Sequence, residues 1–193
     1  GLEVELWRIG DSAPAPKFNI VSKPNDWSQS ISRAVNAIDE AELSETRIMQ
    51  RAYWTAFDKV LSASGGPIRG GRTAQPTSWM SYSIGRSSIS LNAAMVRPKK
   101  QVRAELYLSG GKAKSFYHLL AEQKPEIERE LGFPLDWEEL PKGKDSRISV
   151  SLENADPENE SDWRRQHEWL AKNLNAMHRV FAPRVRALDP DSR

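Results

Sequence analysis

Four short segments partly match sequence motifs of catalytic or ligand-binding sites. Each lacks a residue, a neighbouring element or an accompanying segment that the motif requires. Residues 66–73 (GPIRGGRT) have the spacing of a phosphate-binding P-loop, except that Arg72 stands where the motif requires lysine. A P-loop joins a strand to a helix, so that backbone N–H groups and the helix N-terminus face the phosphate. Here the sequence predicts a helix before the loop and a strand after it. A flexible basic loop fits the segment better, and a weaker interpretation keeps it as a contact to a phosphate backbone.

The histidines do not have the spacing of a metal site. His167 and Glu168 begin like the helix of a zinc protease, but Ala171 stands where that motif places its second histidine. His167 and His178 are eleven residues apart. On a helix that separation is about 16 Å, which is too far for one metal ion. We therefore predict that His167 is an interior or interface imidazole.

Two further motif matches lack their partners. Glu122 and Lys124 have the E-x-K spacing of nuclease sites, but they end a predicted helix, whereas that chemistry places them on a strand beside a second acid. Ser109 and Lys112 match the S-x-x-K pair of penicillin-binding enzymes without the S-D-N and K-T-G segments that accompany it. The chain has no cysteine, which excludes disulfides, thiol nucleophiles and cysteine-bound metals. We expect no catalytic residues, no metal and no cofactor within this chain.

The net charge is only +2, so affinity for nucleic acid must come from local clusters of charge. Residues 97–103 hold four basic side chains and no acid, and residues 163–186 hold six against Glu168 alone. Residues 122–139 hold seven acids against two bases. Basic hairpins and basic helix faces suit phosphate backbones, whereas the acidic block favours an ordinary surface of mixed charge. Both interpretations stay open at this point.

Residues 79–108 give the clearest structural signal and are predicted to form a three-stranded antiparallel meander. Apolar and polar residues alternate along three short runs, which is the pattern of strands with one buried face. The gaps at 85–88 and 97–100 have the length of hairpin turns. The predicted buried positions are Met80, Tyr82, Ile84, Ile89, Leu91, Ala93, Met95, Val102, Ala104, Leu106 and Leu108.

Helices are predicted on both sides of the meander. Two helices precede it. The first follows a helix-breaking segment at 22–26, and the second begins at Ser44, a residue type that is favoured as an N-cap. After the meander we predict two short helices, two strands at 135–140 and 147–152, and a long final helix.

The final helix is predicted from about Asp162 to Phe181, with Pro183 ending it. Its apolar residues are spaced by four and three, and that stripe fits either the core or a subunit interface.

The fold class that follows is α+β. The antiparallel meander and two further strands are packed against the N-terminal helices and the long C-terminal helix. We predict a β-hairpin at 1–21 that is the remnant of an upstream domain, a single α+β domain at 22–188, and a frayed tail at 189–193. The sequence has no apolar run of membrane-spanning length and no signal-peptide pattern, so we expect a cytoplasmic protein without a membrane partner.

Several segments together resemble the family called domain of unknown function 4268. In order they are 53–57 (YWTAF), 79–87 (WMSYSIGRS), 102–108 (VRAELYL), 126–140 (EIERELGFPLDWEEL), 147–148 and 163–181, within about residues 47 to 188. The resemblance implies a C-terminal domain of prokaryotic proteins, which often follows a domain similar to restriction-type or RecB-like nucleases. It also implies that any metal-dependent cleavage site lies outside this chain.

The leading hypothesis is a non-catalytic accessory module of a nuclease-like protein, which contacts the backbone of DNA or RNA or positions the partner domain. The predicted phosphate contacts are Arg69, Arg72, Arg86, Arg97, Lys99, Lys100 and Arg103. The first alternative is a protein-interaction or dimerisation module, in which the stripe of the final helix pairs two copies as a homodimer. The second alternative is an unrecognised hydrolase, which the absence of a paired nucleophile and base disfavours.

Overall fold

The computed structural model describes residues 2–8, 13, 15–20 and 25–189. The chain divides into two compact units, Gly1–Glu45 and Thr46–Arg193. In the first unit, strands β1 (Leu2–Trp7) and β2 (Ala15–Ile20) pair antiparallel, as the predicted hairpin requires.

Helix α1 (Asn25–Ala63) corrects the prediction of two N-terminal helices. The expected restart at Ser44 does not occur, and the helix continues through this position. Neither proline nor glycine lies between Pro24 and Gly65, so nothing forces the backbone out of the helix there. Residues 22–24 of the predicted breaker lie outside the described residues, and residues 25 and 26 are the first two of α1. Of the α1 side chains from residue 44 onwards, the large ones that are completely buried are Tyr53, Trp54, Phe57 and Leu61.

The predicted meander is present as strands β3 (Trp79–Arg86), β4 (Ile89–Val96) and β5 (Gln101–Leu108). Two more strands, β6 (Asp136–Glu138) and β7 (Ser146–Leu152), complete a five-stranded antiparallel sheet in the order β3-β4-β5-β7-β6. Every apolar position predicted to face the core of the meander is buried. The α+β fold class is therefore confirmed.

Two short helices connect β5 to β6, as the sequence predicts. Helix α2 (Ala113–Ala121) buries Phe116 and Leu120, and helix α3 (Lys124–Leu131) buries Ile127. No helix in the described ranges has both the length and the apolar composition to cross a membrane.

Helix α4 (Trp163–Ala187) packs against the apolar face of the sheet and forms the centre of the core. Leu170, Leu174, Met177 and Phe181 of its apolar stripe are completely buried. The sequence left open whether this stripe serves the core or a subunit interface, and the structure shows the core. The predicted homodimer itself stays a prediction.

Pro183 lies inside α4 and does not end it, which corrects the predicted boundary. The last turn stays helical because Val185 is completely buried in the core. Arg86 of β3 also holds this end, since its Nε donates to the carbonyl oxygen of Val185 at 3.3 Å and its Nη2 to that of Leu188 at 2.7 Å. These bonds satisfy carbonyl groups that a helix end leaves without partners. The predicted tail lies outside the described residues beyond Asp189.

His167 is an interior imidazole, as predicted. Its ring is enclosed by Tyr53 at 4.3 Å, Phe57 at 5.7 Å and Trp163 at 5.9 Å between ring centroids. Its Nε2 is buried without a hydrogen-bond partner. Burial lowers the pKa of His167 from 6.5 to about 4, because the charged form loses its hydration there.

We predict that replacing His167 with phenylalanine removes part of the acid sensitivity of the fold. The unfolded chain binds a proton at this histidine near pH 6.5, whereas the folded chain does so only near pH 4. The fold therefore loses stability as the pH falls through this window, by about 3 kcal/mol. Urea unfolding at pH 7 and pH 4.5 measures the difference. An equal loss of stability in His167→Phe and in the unmodified chain would contradict the assignment.

Candidate nucleic-acid interface

The β4–β5 hairpin carries four of the seven predicted phosphate contacts, and carboxylates neutralise two of them at its turn. Nε of Arg97 donates to Oε1 of Glu158 at 2.8 Å. Nζ of Lys100 lies 3.1 Å from Oδ2 of Asp156. Both acids belong to the segment that follows β7, which is tied to the hairpin by Ala155 N–H, donating to the carbonyl oxygen of Lys100 at 2.7 Å. Arg97 and Lys100 have no acidic neighbour in the sequence, but the fold places an acid beside each of them.

Arg103 is also paired, and it lies on the face of the sheet that α4 does not cover. Its Nε donates to Oε2 of Glu105 at 2.7 Å, and Glu105 is only 5% exposed. Lys99, the fourth cation of the hairpin, is exposed. No described carboxylate lies within ion-pair distance of Lys99.

Arg72 and Arg86 make contacts that hold the fold together. The Arg72 guanidinium donates to the carbonyl oxygen of Ser81 and lies 5.1 Å from the ring centroid of Tyr82. It therefore covers part of the exposed edge of β3, where strands otherwise leave backbone groups unpaired. Arg86 lies 5.0 Å from the Phe116 ring centroid and holds the end of α4. Both guanidinium groups already have partners within the fold.

A row of cations that the predicted contacts omit lies on the outer side of α4. Lys172, Arg179 and Arg186 recur every seven residues, so they lie on one side of the helix at intervals of about 10 Å. All three are exposed, although the side chain of Arg186 also packs against Gly85 of β3. No carboxylate of the described chain forms an ion pair with any of them. We call these three residues the α4 stripe.

The loop at residues 64–78 brings Arg69 to the same surface. Asn175 lies on α4 between Lys172 and Arg179, and its Oδ1 accepts a hydrogen bond from Ile68 N–H at 3.2 Å. Its Nδ2 donates to Oγ of Ser64 at 3.0 Å. Arg69, the next residue of the loop, is exposed. This buried asparagine therefore positions the loop against the basic side of the helix.

Close packing of the loop requires glycine at position 66. A Cβ atom there would lie 2.1 Å from Cγ of Asn175, which no packing tolerates without displacement. The segment that resembles a P-loop follows a helix and precedes a strand, so it has the opposite order of elements from a nucleotide-binding loop, as the sequence predicts.

A groove of about 580 Å³ runs between the end of α1 and the outer side of α4. Val60, Ala63 and Ser64 form one wall, and Lys172, Asn175 and Arg179 form the other. Glu168 also lines it, but its Oε1 accepts a hydrogen bond from Nε of Arg164 at 2.9 Å. The groove therefore joins an apolar wall to a cationic one.

The pKa of His178 reflects partial burial and the positive charges of the neighbouring stripe. Partial burial lowers its pKa first, and the positive charges of Arg186 and Arg179 lower it further. A bound anion at this surface would favour the protonated imidazole and raise that pKa.

Within the described part of the chain, no group of three histidine, aspartate or glutamate side chains is placed to hold a metal ion.

The family model for the domain of unknown function DUF4268 matches residues 49–185, more than two thirds of the chain. The chain belongs to the DUF4268 family. No curated protein and no solved structure matches it significantly. The matched region includes the loop, the whole sheet and nearly all of α4, so the candidate interface lies almost entirely within the DUF4268 domain.

The sequence contains a signal for the α4 stripe that the predicted contacts do not use. Residues 163–186 are basic as a block, and the seven-residue spacing of Lys172, Arg179 and Arg186 selects the three that share a side of the helix. The ion pairs of the hairpin have no local signal, because Arg97 and Glu158 are 61 residues apart.

We predict that Asn175→Ala releases the loop of the DUF4268 domain from α4. The change removes the acceptor of Ile68 N–H and leaves a buried donor unpaired, which costs about 1–3 kcal/mol locally. Trypsin should then cleave after Arg69 faster than in the unmodified chain. Asn173→Ala is the matched control, because Nδ2 of Asn173 donates to the carbonyl oxygen of Trp169 within α4 itself at 2.8 Å. Equal cleavage rates in the two variants would contradict the role of Asn175.

Proposed function

We propose that this DUF4268 domain is a non-catalytic accessory module that contacts the nucleic-acid backbone for a nuclease-like partner domain. The contacts are made by the α4 stripe together with Arg69. The observation that carries the proposal is the alignment of exposed cations on one side of α4, beside a loop that adds a fourth. Three cations at intervals of about 10 Å span about 21 Å, which suits a chain of phosphates better than one small anion.

The paired cations of the hairpin have a smaller part in this proposal. Arg97 and Lys100 would have to leave Glu158 and Asp156 before they could bind phosphate, and the acids would repel the incoming backbone. Lys172, Arg179 and Arg186 form no ion pair among the described residues, and Glu168, the acid in the same groove, is bonded to Arg164. Release of counterions from phosphate therefore favours the stripe over the hairpin.

The nuclease-like partner is part of the same proposal and rests on what the resemblance implies. The resemblance implies that such a domain often follows a nuclease-like domain in prokaryotic proteins. In this arrangement the partner performs the cleavage, and the DUF4268 domain holds the strand that is cleaved. The proposed module is cytoplasmic, where both DNA and RNA are available in a prokaryotic cell.

We predict that the chain binds a 20-nucleotide single strand with an affinity that falls as salt rises. Four phosphate contacts give a slope of log affinity against log salt of about −3 for a single strand. The triple variant Lys172→Gln, Arg179→Gln, Arg186→Gln should bind about tenfold or more weakly at 0.1 M salt, with a slope reduced by about 2. Fluorescence anisotropy of a labelled strand measures both quantities.

The matched control removes the same charge from the hairpin, as Arg97→Gln, Lys99→Gln, Lys100→Gln. It should bind within about twofold of the unmodified chain, because two of its three cations are already paired. The proposal fails if the unmodified chain binds neither single strands nor duplexes, or if its affinity does not depend on salt. If the hairpin variant loses more affinity than the α4 triple variant, the α4 stripe is not the binding surface.

A further inference from the structure

The sheet has a second face, opposite α4, whose side chains form regular rows across the strands. The strand register places Trp79, Ala94, Arg103 and Ser151 in one row. The next row consists of Ser81, Asn92, Glu105, Ser149 and Asp136. An antiparallel sheet with only one packed face normally turns polar side chains to solvent on the other. This face differs because its centre is buried.

Glu105 and Asn92 are each only 5% exposed at the centre of this face. Both oxygens of the Glu105 carboxylate have partners: Oε1 accepts from Nδ2 of Asn92 at 3.2 Å, and Oε2 accepts from Nε of Arg103 at 2.7 Å. Arg147 adds a nitrogen 3.8 Å from Oε2. A buried carboxylate needs such partners, so Glu105 acts here as the group that orients Arg103.

This orientation leaves the outer end of the Arg103 guanidinium without a hydrogen-bond partner, although the side chain is only 18% exposed and its charge also acts on Glu138. Nε is engaged with Glu105, and no residue in the described ranges accepts a hydrogen bond from Nη1 or Nη2. A guanidinium held in this way presents a planar pair of donors that suits two acceptors on one planar ligand.

A slot lies between Arg103 and Trp79. The two residues are two strands apart, about 10 Å, and only the methyl group of Ala94 lies between them in the row. Trp79 is 55% exposed. The resulting pocket of about 340 Å³ is also lined by Ser81, Asn92 and Tyr107, and its size suits a small ligand.

We propose that this pocket binds one nucleobase that carries a carbonyl oxygen on its ring, as guanine and uracil do. The base lies flat against the Trp79 indole above Ala94, and its carbonyl oxygen, together with N7 in guanine, accepts hydrogen bonds from the Nη groups of Arg103. The carboxylate of Glu105 is already occupied and offers no acceptor to the ligand. Because a guanidinium carries only donors, Arg103 selects acceptors on the ligand. The ligand is either a free nucleotide or an unpaired base of a strand. The inference is independent of the proposed backbone contacts, which lie beyond α4 on the other side of the sheet.

The test is isothermal titration with guanosine, uridine and adenosine 5′-monophosphates in 0.3 M salt, where backbone contacts are weak. The guanosine and uridine nucleotides should bind, and ribose 5-phosphate should not. Trp79→Ala should weaken binding about fivefold or more, because stacking of a base on an aromatic ring is lost. Ala94→Leu should abolish binding by filling the slot, although it removes no polar partner.

Two further variants test the role of the Arg103 guanidinium and the independence of the two surfaces. Arg103→Lys keeps the charge but loses the planar fork, so the preference for guanosine over adenosine monophosphate should fall. The α4 triple variant should bind the nucleotides unchanged, whatever its effect on strands. Competition by a short guanine-containing strand would identify an unpaired base as the ligand, and its absence a free nucleotide. The inference is overturned if no nucleotide binds at about 1 mM, if ribose 5-phosphate binds equally well, or if Ala94→Leu still binds.

Discussion

The packing of α4 against one face of the five-stranded sheet is the contact on which the rest of the structure depends. Leu170, Leu174, Met177 and Phe181 are completely buried in it, and burial of each such side chain contributes about 2 kcal/mol. Because this contact uses the inner side of the helix, the outer side is left for cations. Because it uses one face of the sheet, the other face is left for a polar cluster around Glu105. The two proposed sites therefore lie on opposite sides of one core.

Ion pairing decides which cations of this chain are available to a ligand. Arg97 and Lys100 are held by acids from the segment after β7, whereas Lys172 and Arg179 on α4 have no carboxylate partner in the described part of the chain. Exposed pairs of this kind contribute little to stability, but they compete with a phosphate for the same cation. A basic run in a sequence is therefore a weaker indication of a binding surface than cations that the fold leaves unpaired.

The sequence predicted the meander, its buried face and the α+β class, because period-two alternation is a local property of the strands. The predicted restart at Ser44 was wrong because a residue that can cap a helix does not by itself interrupt one. The helical turn beyond Pro183 was missed because the burial of Val185 and its bond from Arg86 depend on distant residues. The same reason applies to the site: Glu158 pairs with Arg97 across 61 residues, and no local pattern shows this.

The most direct test of the account is to map where a single-stranded oligonucleotide touches the chain. Backbone amide chemical shifts in an NMR titration at low salt locate that surface without any substitution. We expect shifts at Lys172, Asn175 and Arg179, along the groove between the end of α1 and α4, and at Arg69 in the neighbouring loop. Shifts confined to residues 97–100, or no shifts at all, would contradict it.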